Sequence, residues 1–475
     1  MRTDIRGLTA VAMGLGLLAP TPAMALCRAD LPTAVTAIAQ RPELARARLG
    51  VQVETLDGEV IYSRDGDRFF VPASALKLLT TAAVLTRLGP EARIQTSVYG
   101  SPDEAGQTSL WVVGQGDPSL NQAGLMALTT QLRQQGIQQI ETLYGDESAF
   151  AGSAVNPSWD WEDVQAGYGA PVNALILHEN EIGFSLLPQT VGQPLQVVWD
   201  DPLQGQNWQI ENISATVSAG TPEFVTVGRD LARPILRVSG QLIAGSPPDT
   251  ASVAVPNPGA AFLAAFQATL SDEGIPIQQA RLGTPPASDD WQELATVVSP
   301  TIRELLVPTN QNSNNLYAEA LLKQLGQFQP GQDATADGIA IALSTLADLG
   351  VNPEAVVMFD GSGLARKNLV TPVALVDTLQ AMARSPLADT YRDSLAVAGV
   401  SGTLRNRFLE TPVAGNLWGK SGAISRNFAL AGYLEPENDA SLVFSILINN
   451  IDQRGSTARR LIDDLVLQIA ALSAC

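Results

Sequence analysis

The sequence predicts an α/β protein of the α+β kind, in which an antiparallel sheet with helices on both sides is interrupted by a large insertion. Hairpin patterns near the two chain ends both lie beside helical segments, so the two ends can complete one sheet. Residues from about 90 to 290 differ from the two ends in composition and pattern, with short predicted strands and many Gly, Pro, Gln and Asp residues. A chain of 475 residues also exceeds what one hydrophobic core usually serves, which favours two or three domains.

The terminal elements follow from periodicity and turn signals. The stretch 72–88 begins with proline and ends before Gly89-Pro90, and its apolar residues occupy nearly every face, which predicts a helix buried on all sides. Asp57-Gly58 predicts the turn of the first hairpin. The predicted helices are 31–40, 72–88 and 456–472, and the predicted strands are 50–55, 60–63, 427–434 and 441–448.

The middle of the chain predicts two further units. Strands at 93–99, 109–113 and 139–144, with helices at 120–135 and 260–270, indicate a small α/β unit. Strands and turns from 182 to 254 indicate a β-rich unit. The predicted division is a signal peptide at 1–25, a first domain of 26–89 with 291–475, an inserted α/β domain of 90–181 with 255–290, and an inserted β-rich domain of 182–254.

Residues 1–25 have the pattern of a secretory signal peptide. Arg2 and Arg6 precede an apolar run, and Ala23-Met24-Ala25 offers a small-residue cleavage site. We find no later apolar run long enough to span a bilayer, so we expect an exported, soluble protein without a transmembrane anchor. The formal net charge of −19 argues against nucleic acid and anionic lipid as partners.

Cysteine and histidine are scarce, which restricts the chemistry. The two cysteines, Cys27 and Cys475, either pair in an oxidising compartment or remain free terminal thiols, and we expect a disulfide. The single histidine, His178, excludes a zinc site built on several histidines, and a Ser-His-Asp triad would need His178 itself as its base. We interpret His178 as a structural or surface residue, and we expect no metal and no cofactor.

Ser74 and Lys77 are the polar exceptions in the first turn of the buried helix. Three residues apart, they project on one side, with the hydroxyl within reach of the amine. Burial lowers the pKa of an ammonium group, so Lys77 can act as the base that activates Ser74. Lysine is rare in this chain, and arginine, the usual basic residue here, cannot serve as such a base. The alternative is a partly exposed lysine at a helix end.

Two other stretches carry hydroxyl, amide and amine groups. Ser313 and Asn315 lie in a polar loop that leads into a helix, where they can point into one cleft or simply cap the helix. The stretch 418–423, Trp-Gly-Lys-Ser-Gly-Ala, lies at a predicted strand end. Its lysine, Lys420, and the following hydroxyl can hold a carboxylate, and glycine lets the backbone approach closely.

In this order the three stretches resemble the Ser-x-x-Lys, Ser-x-Asn and Lys-Thr-Gly motifs of the penicillin-recognising serine enzymes. Lys77 and Ser313 are separated by 235 residues, too many for a compact β-lactamase. This spacing resembles the class C low-molecular-mass penicillin-binding proteins, the penicillin-binding protein 4 type of D-alanyl-D-alanine carboxypeptidase/endopeptidase, peptidase family S13. Further phrases similar to that family are 116–120 (GDPSL), 145–148 (GDES), 159–163 (WDWED), 168–171 (YGAP), 360–364 (DGSGL) and 401–404 (SGTL).

The resemblance implies a penicillin-binding transpeptidase-like domain and a role for each motif residue. Ser74 would be the acylated nucleophile and Lys77 its general base. Ser313 would relay a proton to the leaving amine, and Asn315 would bind the substrate's amide carbonyl. Main-chain N–H groups of Ser74 and Ala423 would form the oxyanion hole. The implied catalytic residues are Ser74, Lys77, Ser313, Asn315 and Lys420, and the implied substrate-binding residues are Ser421, Gly422, Ala423, Asp163 and Arg366.

Recognition of the substrate also follows from the resemblance. Lys420 and Ser421 would face the terminal carboxylate, although Ser421 stands where threonine is usual. Ala423 stands where a hydroxyl residue commonly follows the glycine, which predicts weaker carboxylate binding. Asp163 and Arg366 would hold the amine and carboxylate of a diamino-acid side chain, or else would be two surface charges.

The function implied is that of a periplasmic serine-type D-alanyl-D-alanine carboxypeptidase or DD-endopeptidase. Such an enzyme acts on peptidoglycan stem peptides through an acyl-enzyme and is acylated by β-lactams. The first alternative is a serine β-lactamase or esterase of the same fold, which would turn a penicillin over rapidly. The second is a non-catalytic cell-wall-binding homologue, which would not be labelled by penicillin.

Overall fold

The computed structural model describes residues 26–102, 108–328, 330–473 and 475, so the predicted signal peptide at 1–25 lies outside the described residues. The strands are β1 (Leu26–Cys27), β2 (Arg48–Thr55), β3 (Val60–Arg64), β4 (Gln95–Pro102), β5 (Thr108–Val113), β6 (Ile140–Asp146), β7 (Glu181–Leu187), β8 (Gln196–Trp199), β9 (Gln209–Asn212), β10 (Ala215–Val217), β11 (Phe224–Arg229), β12 (Ile235–Ile243), β13 (Asp249–Ala254), β14 (Ile277–Leu282), β15 (Gln292–Val298), β16 (Val356–Val357), β17 (Leu369–Val370), β18 (Ala396–Val397), β19 (Leu417–Ile424), β20 (Asn427–Leu434), β21 (Leu442–Asn449) and β22 (Leu472–Ser473). The α-helices are α1 (Leu31–Ala39), α2 (Lys77–Leu88), α3 (Gln122–Gln134), α4 (Pro202–Gly205), α5 (Pro258–Asp272), α6 (Ile302–Asn310), α7 (Asn315–Gly326), α8 (Ala334–Asp348), α9 (Pro372–Ala383), α10 (Ala388–Asp393) and α11 (Gly455–Ala470).

Both ends of the chain build one sheet of six strands, in the order β18–β19–β20–β21–β2–β3. The two predicted hairpins are present, because β2 pairs with β3 and β20 pairs with β21. Strand β21 joins the two ends by pairing antiparallel with β2, where Val51 lies opposite Ile446. The predicted antiparallel sheet, completed by both chain ends, is confirmed.

Helices cover both faces of this sheet, also as predicted. Strand β20 is buried along its whole length, and its successive side chains enter two different cores. On one face Leu430 and Leu434 pack in a core with residues of α1 and α11. On the other, Ala429 and Ala431 pack in the core that contains α2, α7 and α9.

The central helix begins later than predicted. Residues Ala73–Leu76 form a 3₁₀ turn, and α2 begins at Lys77. Every residue from Lys77 to Leu85 is buried, because α6, α7, α8 and α9 all contact this helix. The predicted enclosure of the helix is confirmed, and Ser74 lies in the tighter turn that precedes it.

The inserted α/β unit is built on a five-stranded mixed sheet with the order β14–β6–β5–β4–β15. Helices α3 and α5 contribute Leu and Phe side chains to its core. The boundary predicted at 290/291 needs correction, because β15 pairs antiparallel with β4 and belongs to this sheet. The chain therefore completes the α/β sheet after residue 291, before α6.

The β-rich unit consists of two small sheets, β13–β7–β8 and β10–β12–β11, with β9 also paired to β12. They share a small core that includes Phe184 from the first sheet and Leu236 from the second. The helix α4 is a single turn within this unit. Apart from the 290/291 boundary, the predicted division of the chain into domains stays a prediction.

The two termini meet on the first unit. Strands β1 and β22 pair in parallel, and Cys27 forms a disulfide with Cys475, which confirms the predicted pairing. Arg28 adds ion pairs to Asp439 and Glu59 beside this disulfide. Within the described ranges, no helix is long and apolar enough to cross a membrane.

Candidate active site

Ser74 lies in a turn whose shape is set by two glycines from distant parts of the chain. Ala73, just before it, has a φ of 49°, an uncommon conformation for a residue with a side chain. A Cβ on Gly363 would lie 1.9 Å from the carbonyl oxygen of Ala73. A Cβ on Gly422, in β19, would lie 2.6 Å from the carbonyl oxygen of Pro72 and 3.1 Å from the main-chain nitrogen of Ser74. Glycine at both positions therefore permits the close packing that holds the nucleophile turn.

Lys77 is completely buried and makes three hydrogen bonds. Its Nζ donates to Ser74 Oγ over 3.2 Å, to Asn315 Oδ1 over 2.7 Å and to the carbonyl oxygen of Ser362 over 2.7 Å. Burial lowers the pKa of Lys77 from 10.5 to about 7, although two nearby carboxylates act in the opposite direction. A substantial fraction of the amine is therefore neutral near pH 7. The alternative of an exposed lysine at a helix end is wrong.

The two carboxylates belong to Glu319 on α7 and to Asp360, and both are buried. Glu319 Oε1 accepts the main-chain N–H groups of Gly361 and Ser362 over 3.0 and 2.7 Å, which holds the segment whose Ser362 carbonyl oxygen accepts from Lys77. Burial and the neighbouring Asp360 raise the pKa of Glu319 to about 7. No role for Glu319 was predicted from the sequence. A carboxylate within the largely apolar run 316–322 marks a buried acid, but it does not reveal the remote groups that the acid contacts.

The polar loop before α7 places Asn315 beside Lys77. Ser313 adopts a φ of 61°, and the side chain of Asn314 caps the helix by accepting a main-chain N–H group. The helix-cap interpretation is therefore correct for Asn314. Asn315 instead accepts a hydrogen bond from Lys77 and donates one from Nδ2 to the carbonyl oxygen of Tyr168, over 2.9 Å. This contact joins the nucleophile to the inserted part of the chain.

The third stretch lies inside β19 rather than at a strand end. Within this stretch Lys420 is fully buried, whereas Ala423 is exposed. Burial and the charge on Lys77 both lower the pKa of Lys420, whose Nζ donates to the carbonyl oxygen of Ser421 over 2.8 Å. The Ser421 hydroxyl donates to Thr403 Oγ1 over 2.7 Å. Two buried amines of depressed pKa thus influence each other in one site.

Asp163 and Arg366 form an ion pair, with 2.6 Å between Oδ2 and Nη1. Asp160 places a second carboxylate 2.8 Å from the same nitrogen, and the Tyr168 hydroxyl donates to Asp163 Oδ1 over 3.0 Å. Asp163 is buried and Arg366 is partly buried, so they are not two independent surface charges. Two carboxylates on one guanidinium give this cluster a net negative charge. Tyr168, which also contacts Asn315, connects the cluster to the nucleophile site.

His178 is separate from these groups. It is half-buried and lines a cavity of about 450 Å³ together with Asp201 and Tyr317. Burial lowers the pKa of His178 below its usual value. In the part of the chain that the structure describes, no group of three or more His, Cys, Asp or Glu residues could hold a metal ion.

The structure brings Ser74, Lys77 and Asn315 into direct contact and packs β19 against the turn that carries Ser74. A hydroxyl beside a buried amine whose pKa is near 7 has the chemistry that a nucleophile and its base require. A second amine on the adjacent strand can attract a carboxylate. This arrangement is suited to acyl transfer from a substrate that carries a negative charge near the reacting carbonyl.

Comparisons with known proteins place this chain in a family. Residues 31–470 match the model of the D-Ala-D-Ala carboxypeptidase 3 (S13) family. The chain is similar to a D-alanyl-D-alanine carboxypeptidase of Actinomadura sp. (strain R39), with 34% identity over 458 residues, 91% of this chain and 84% of the relative. Its fold resembles penicillin binding protein 4 from Haemophilus influenzae, with a TM-score of 0.80 and 23% identity over 92% of this chain and 98% of that one. A structure of that protein with a bound β-lactam gives a TM-score of 0.74 at 22% identity, over 92% and 99% of the two chains. The chain therefore belongs to the D-Ala-D-Ala carboxypeptidase 3 (S13) family.

Proposed function

We propose that this chain is a serine-type D-alanyl-D-alanine carboxypeptidase or DD-endopeptidase that forms an acyl-enzyme on Ser74. The observation that supports this most directly is the 3.2 Å contact between Lys77 Nζ and Ser74 Oγ, with a lysine pKa of about 7. A neutral amine at this distance can take the hydroxyl proton as the oxygen attacks a carbonyl. Family membership supplies the substrate class, a peptide that ends in or is cross-linked through D-alanine.

In the acylation step, Ser74 Oγ bonds to the carbonyl carbon of the D-alanine on the acyl side, and its proton passes to Lys77. Main-chain N–H groups of Ser74 and Ala423 hold the oxygen that becomes negative. The bond to the leaving amine then breaks, and Ser313 relays to that nitrogen the proton that Lys77 took, so that Ser313 and Lys77 both return to their starting protonation. Asn315 binds the substrate's amide carbonyl. Water hydrolyses the ester in the second step and restores the Ser74 hydroxyl.

Two groups of side chains would select the substrate. Lys420 and Ser421 hold the carboxylate beside the scissile bond, and Gly422 allows that strand to lie against the nucleophile turn. Asp163 and Arg366 bind the amine and carboxylate of a diamino-acid side chain, because the pair offers one group of each sign. The net negative charge of this cluster, with Asp160, favours a side chain that carries an amine.

The site of action that we propose is the periplasm, where the chain would cleave peptidoglycan peptides after export and removal of residues 1–25. The disulfide between Cys27 and Cys475 supports an oxidising compartment. We also propose acylation by β-lactams, since these compounds present a reactive carbonyl beside a carboxylate. The chemistry that we describe uses only groups of the chain and water, with no cofactor.

Ser74→Ala should abolish covalent labelling by a fluorescent penicillin and release of D-alanine from purified muropeptides, while circular dichroism and the melting temperature stay at parental values. Lys77→Arg should be nearly as inactive, because a guanidinium keeps its proton. Product analysis of the muropeptide digest separates terminal from cross-link cleavage. Labelling that persists in Ser74→Ala would refute the assignment. Rapid release of hydrolysed penicillin by the parent would favour the β-lactamase alternative, and a parent that is never labelled would favour the non-catalytic one.

A further inference from the structure

Residues 160–169, here called the 160–169 loop, carry the side chains that meet Arg366. One side of this loop contacts the nucleophile site, through the Tyr168 carbonyl oxygen that accepts from Asn315 Nδ2 and through Asp163. The loop contains two separate 3₁₀ turns, Asp163–Gln165 and Gly167–Gly169. Such short turns supply few internal hydrogen bonds, so the position of the loop depends on what holds its other side.

The other side of the loop is held by the β-rich unit, through Arg229 at the end of β11. Its guanidinium donates from Nη2 to the carbonyl oxygen of Val164 over 2.9 Å. The main-chain N–H group of Arg229 donates to Gln165 Oε1 over 3.1 Å, and Gln165 Nε2 in turn donates to the carbonyl oxygen of Trp161. One residue of the β-rich unit thus holds both the backbone and a side chain of the loop just after Asp163, and Gln165 extends this contact to Trp161, before Asp163.

The environment of Arg229 is unusual for a guanidinium. The side chain is 3% exposed, and among the described residues its hydrogen-bond acceptors are main-chain carbonyl groups rather than carboxylates. Its Nε is buried without a hydrogen-bond partner among those residues. A buried cation without a hydrogen-bonded carboxylate is costly, whereas an apolar residue could fill such a space at lower cost. An arginine at this costly position therefore indicates that its hydrogen bonds to the 160–169 loop have a role.

Close backbone packing adds to the same contact. Ala166 forms a β-bridge with Val253 of β13. A Cβ on Gly167 would lie 1.8 Å from Glu181 Oε2 and 2.1 Å from Ser252 Oγ, so a side chain at this position would have to displace those two groups of the β-rich unit. The loop is consequently held between the β-rich unit on one side and the nucleophile site on the other.

We propose that the β-rich unit positions the 160–169 loop for substrate selection, and that Arg229 is a positioning residue for Asp163. The proposal rests on the proposed function, since it gives Asp163 the diamino-acid side chain as its ligand. It assigns to the inserted β-rich unit a part in specificity that leaves the acyl-transfer groups themselves unchanged. Loss of the Arg229 contacts should therefore affect peptides with a diamino-acid side chain and spare small acyl donors.

The experiment compares Arg229→Gln, which removes the guanidinium donor to Val164, and Gln165→Ala, which removes the acceptor of the Arg229 main-chain N–H group, with Arg237→Gln as control. Arg237 belongs to the same unit but is exposed, where it pairs with Glu211 and Asp230. For each variant, kcat/KM is measured for a pentapeptide with a diamino acid at its third position, for the same peptide with alanine there, and for penicillin acylation. Hydrogen exchange of the 160–169 peptides reports loop order directly.

We expect both loop-contact variants to lose on the order of tenfold in preference for the diamino-acid peptide, mainly through KM, because the subsite is displaced. Penicillin acylation should stay at the parental rate, and exchange should rise in the 160–169 loop but not in β7 or β13. Arg237→Gln should match the parent. Faster exchange throughout β7 and β13, or an equal loss of kcat/KM on all three compounds, would show a merely structural role and overturn the proposal. Parental preference for the diamino-acid peptide in both variants would also overturn it.

Asp163→Asn separates this proposal from the function on which it rests. If Asp163→Asn keeps the parental preference, the diamino-acid subsite is wrong, whatever Arg229 does. If Asp163→Asn loses the preference, combining it with Arg229→Gln should add little further loss, because both act on one contact. Additive losses in the double variant would mean that Arg229 acts elsewhere, which would overturn the positioning role while leaving the subsite intact.

Discussion

Lys77 shares its buried surroundings with a second amine, Lys420, and with the carboxylates of Asp360 and Glu319. Each charge changes the proton affinity of the others because little solvent screens them. Burial outweighs the two carboxylates at Lys77, since its pKa falls to about 7 despite them. The fraction of neutral lysine near pH 7 therefore depends on the charges of Asp360 and Glu319 as well as on burial.

Glu319→Gln should move the rising limb of the pH–acylation profile to lower pH, by roughly one unit. Glutamine keeps an oxygen for the two main-chain N–H groups but removes a negative charge that favours the ammonium form of Lys77. In the proposed mechanism the neutral Lys77 amine is the base, so the acylation rate should rise as pH increases through the lysine pKa, and a lower pKa should move that rise to lower pH. Second-order rates with a chromogenic β-lactam over the range in which Lys77 titrates measure the shift. The exposed Glu354→Gln serves as control, and a limb that stays or moves upward would contradict the assignment.

Ala423→Thr should increase kcat/KM for substrates that carry a free carboxylate beside the scissile bond. Ala423 is exposed at the edge of the motif, so a larger side chain has room, and a new hydrogen bond to a charged group contributes about 1.5 to 3 kcal/mol. We expect a gain nearer tenfold than a hundredfold, because such bonds are rarely expressed fully in the transition state. The control is Ala423→Val, which adds the shape without the hydroxyl. An equal gain on the amidated peptide would show the hydroxyl acting elsewhere, and no gain would mean that Lys420 and Ser421 suffice.

At the scale of secondary-structure elements, the close contact between β19 and the turn that carries Ser74 can be tested directly. Gly422→Ala would place a Cβ 2.6 Å from a main-chain oxygen and 3.1 Å from the Ser74 nitrogen, so strand or turn must shift. Displacement of reacting groups by about 1 Å can cost a hundredfold in rate, so we expect acylation to fall by roughly that factor while the chain remains folded. In the control Gly455→Ala, the added Cβ comes only within 3.3 Å of the Phe428 ring, which can adjust, and the rate should hold. A Gly422→Ala variant with the parental rate would contradict this account.

The elements that the sequence predicted well are those with strong local signals. Strand β20 matches its prediction at both ends, because an apolar run between turn residues defines it. The 3₁₀ turn at Ala73–Leu76 was missed, since its geometry depends on Gly363 and Gly422, far away in sequence. Strand β15 was assigned to the wrong unit for the same reason, because composition does not reveal its partner β4.

Some residues of the candidate site could likewise be predicted from the sequence, and others could not. Ser74 and Lys77 could be predicted because an amine in a buried first turn is rare in a chain rich in arginine. The buried carboxylate of Glu319 and the carbonyl oxygen of Tyr168 could not, since their roles arise from contacts between remote segments. Side-chain chemistry marks a nucleophile in sequence, whereas main-chain acceptors carry no such mark.

For the molecule as a whole, the inserted part leaves the first unit after α2 and rejoins it before α6, where the Ile302 N–H group donates to the carbonyl oxygen of Ala92, at the end of α2 that is remote from Ser74. Asn315, at the start of α7, contacts both Lys77 and the inserted Tyr168. Further along the same helix, the buried Lys323 donates to the carbonyl oxygens of Ser153 and Val172, also in the insertion. One face of α7 therefore links the inserted part to the nucleophile, which explains how units remote in sequence can influence the same site.

The closure of the whole chain by Cys27 and Cys475 gives a prediction at this scale. The disulfide spans 448 positions, and the loop-entropy model gives about 6 kcal/mol of stabilisation for such a loop, an upper value that measured cases often miss. The Cys27→Ser/Cys475→Ser variant should unfold at lower urea concentration, with several kcal/mol lost in the transition that reports on the six-stranded sheet. Penicillin acylation under native conditions should stay near the parental rate, because the two large cores around that sheet remain. Reductant should bring the parent to the stability of the variant and leave the variant unchanged. Equal urea midpoints for the oxidised parent and the variant would show that the short β1–β22 pair and the Arg28 ion pairs hold the termini together without the disulfide.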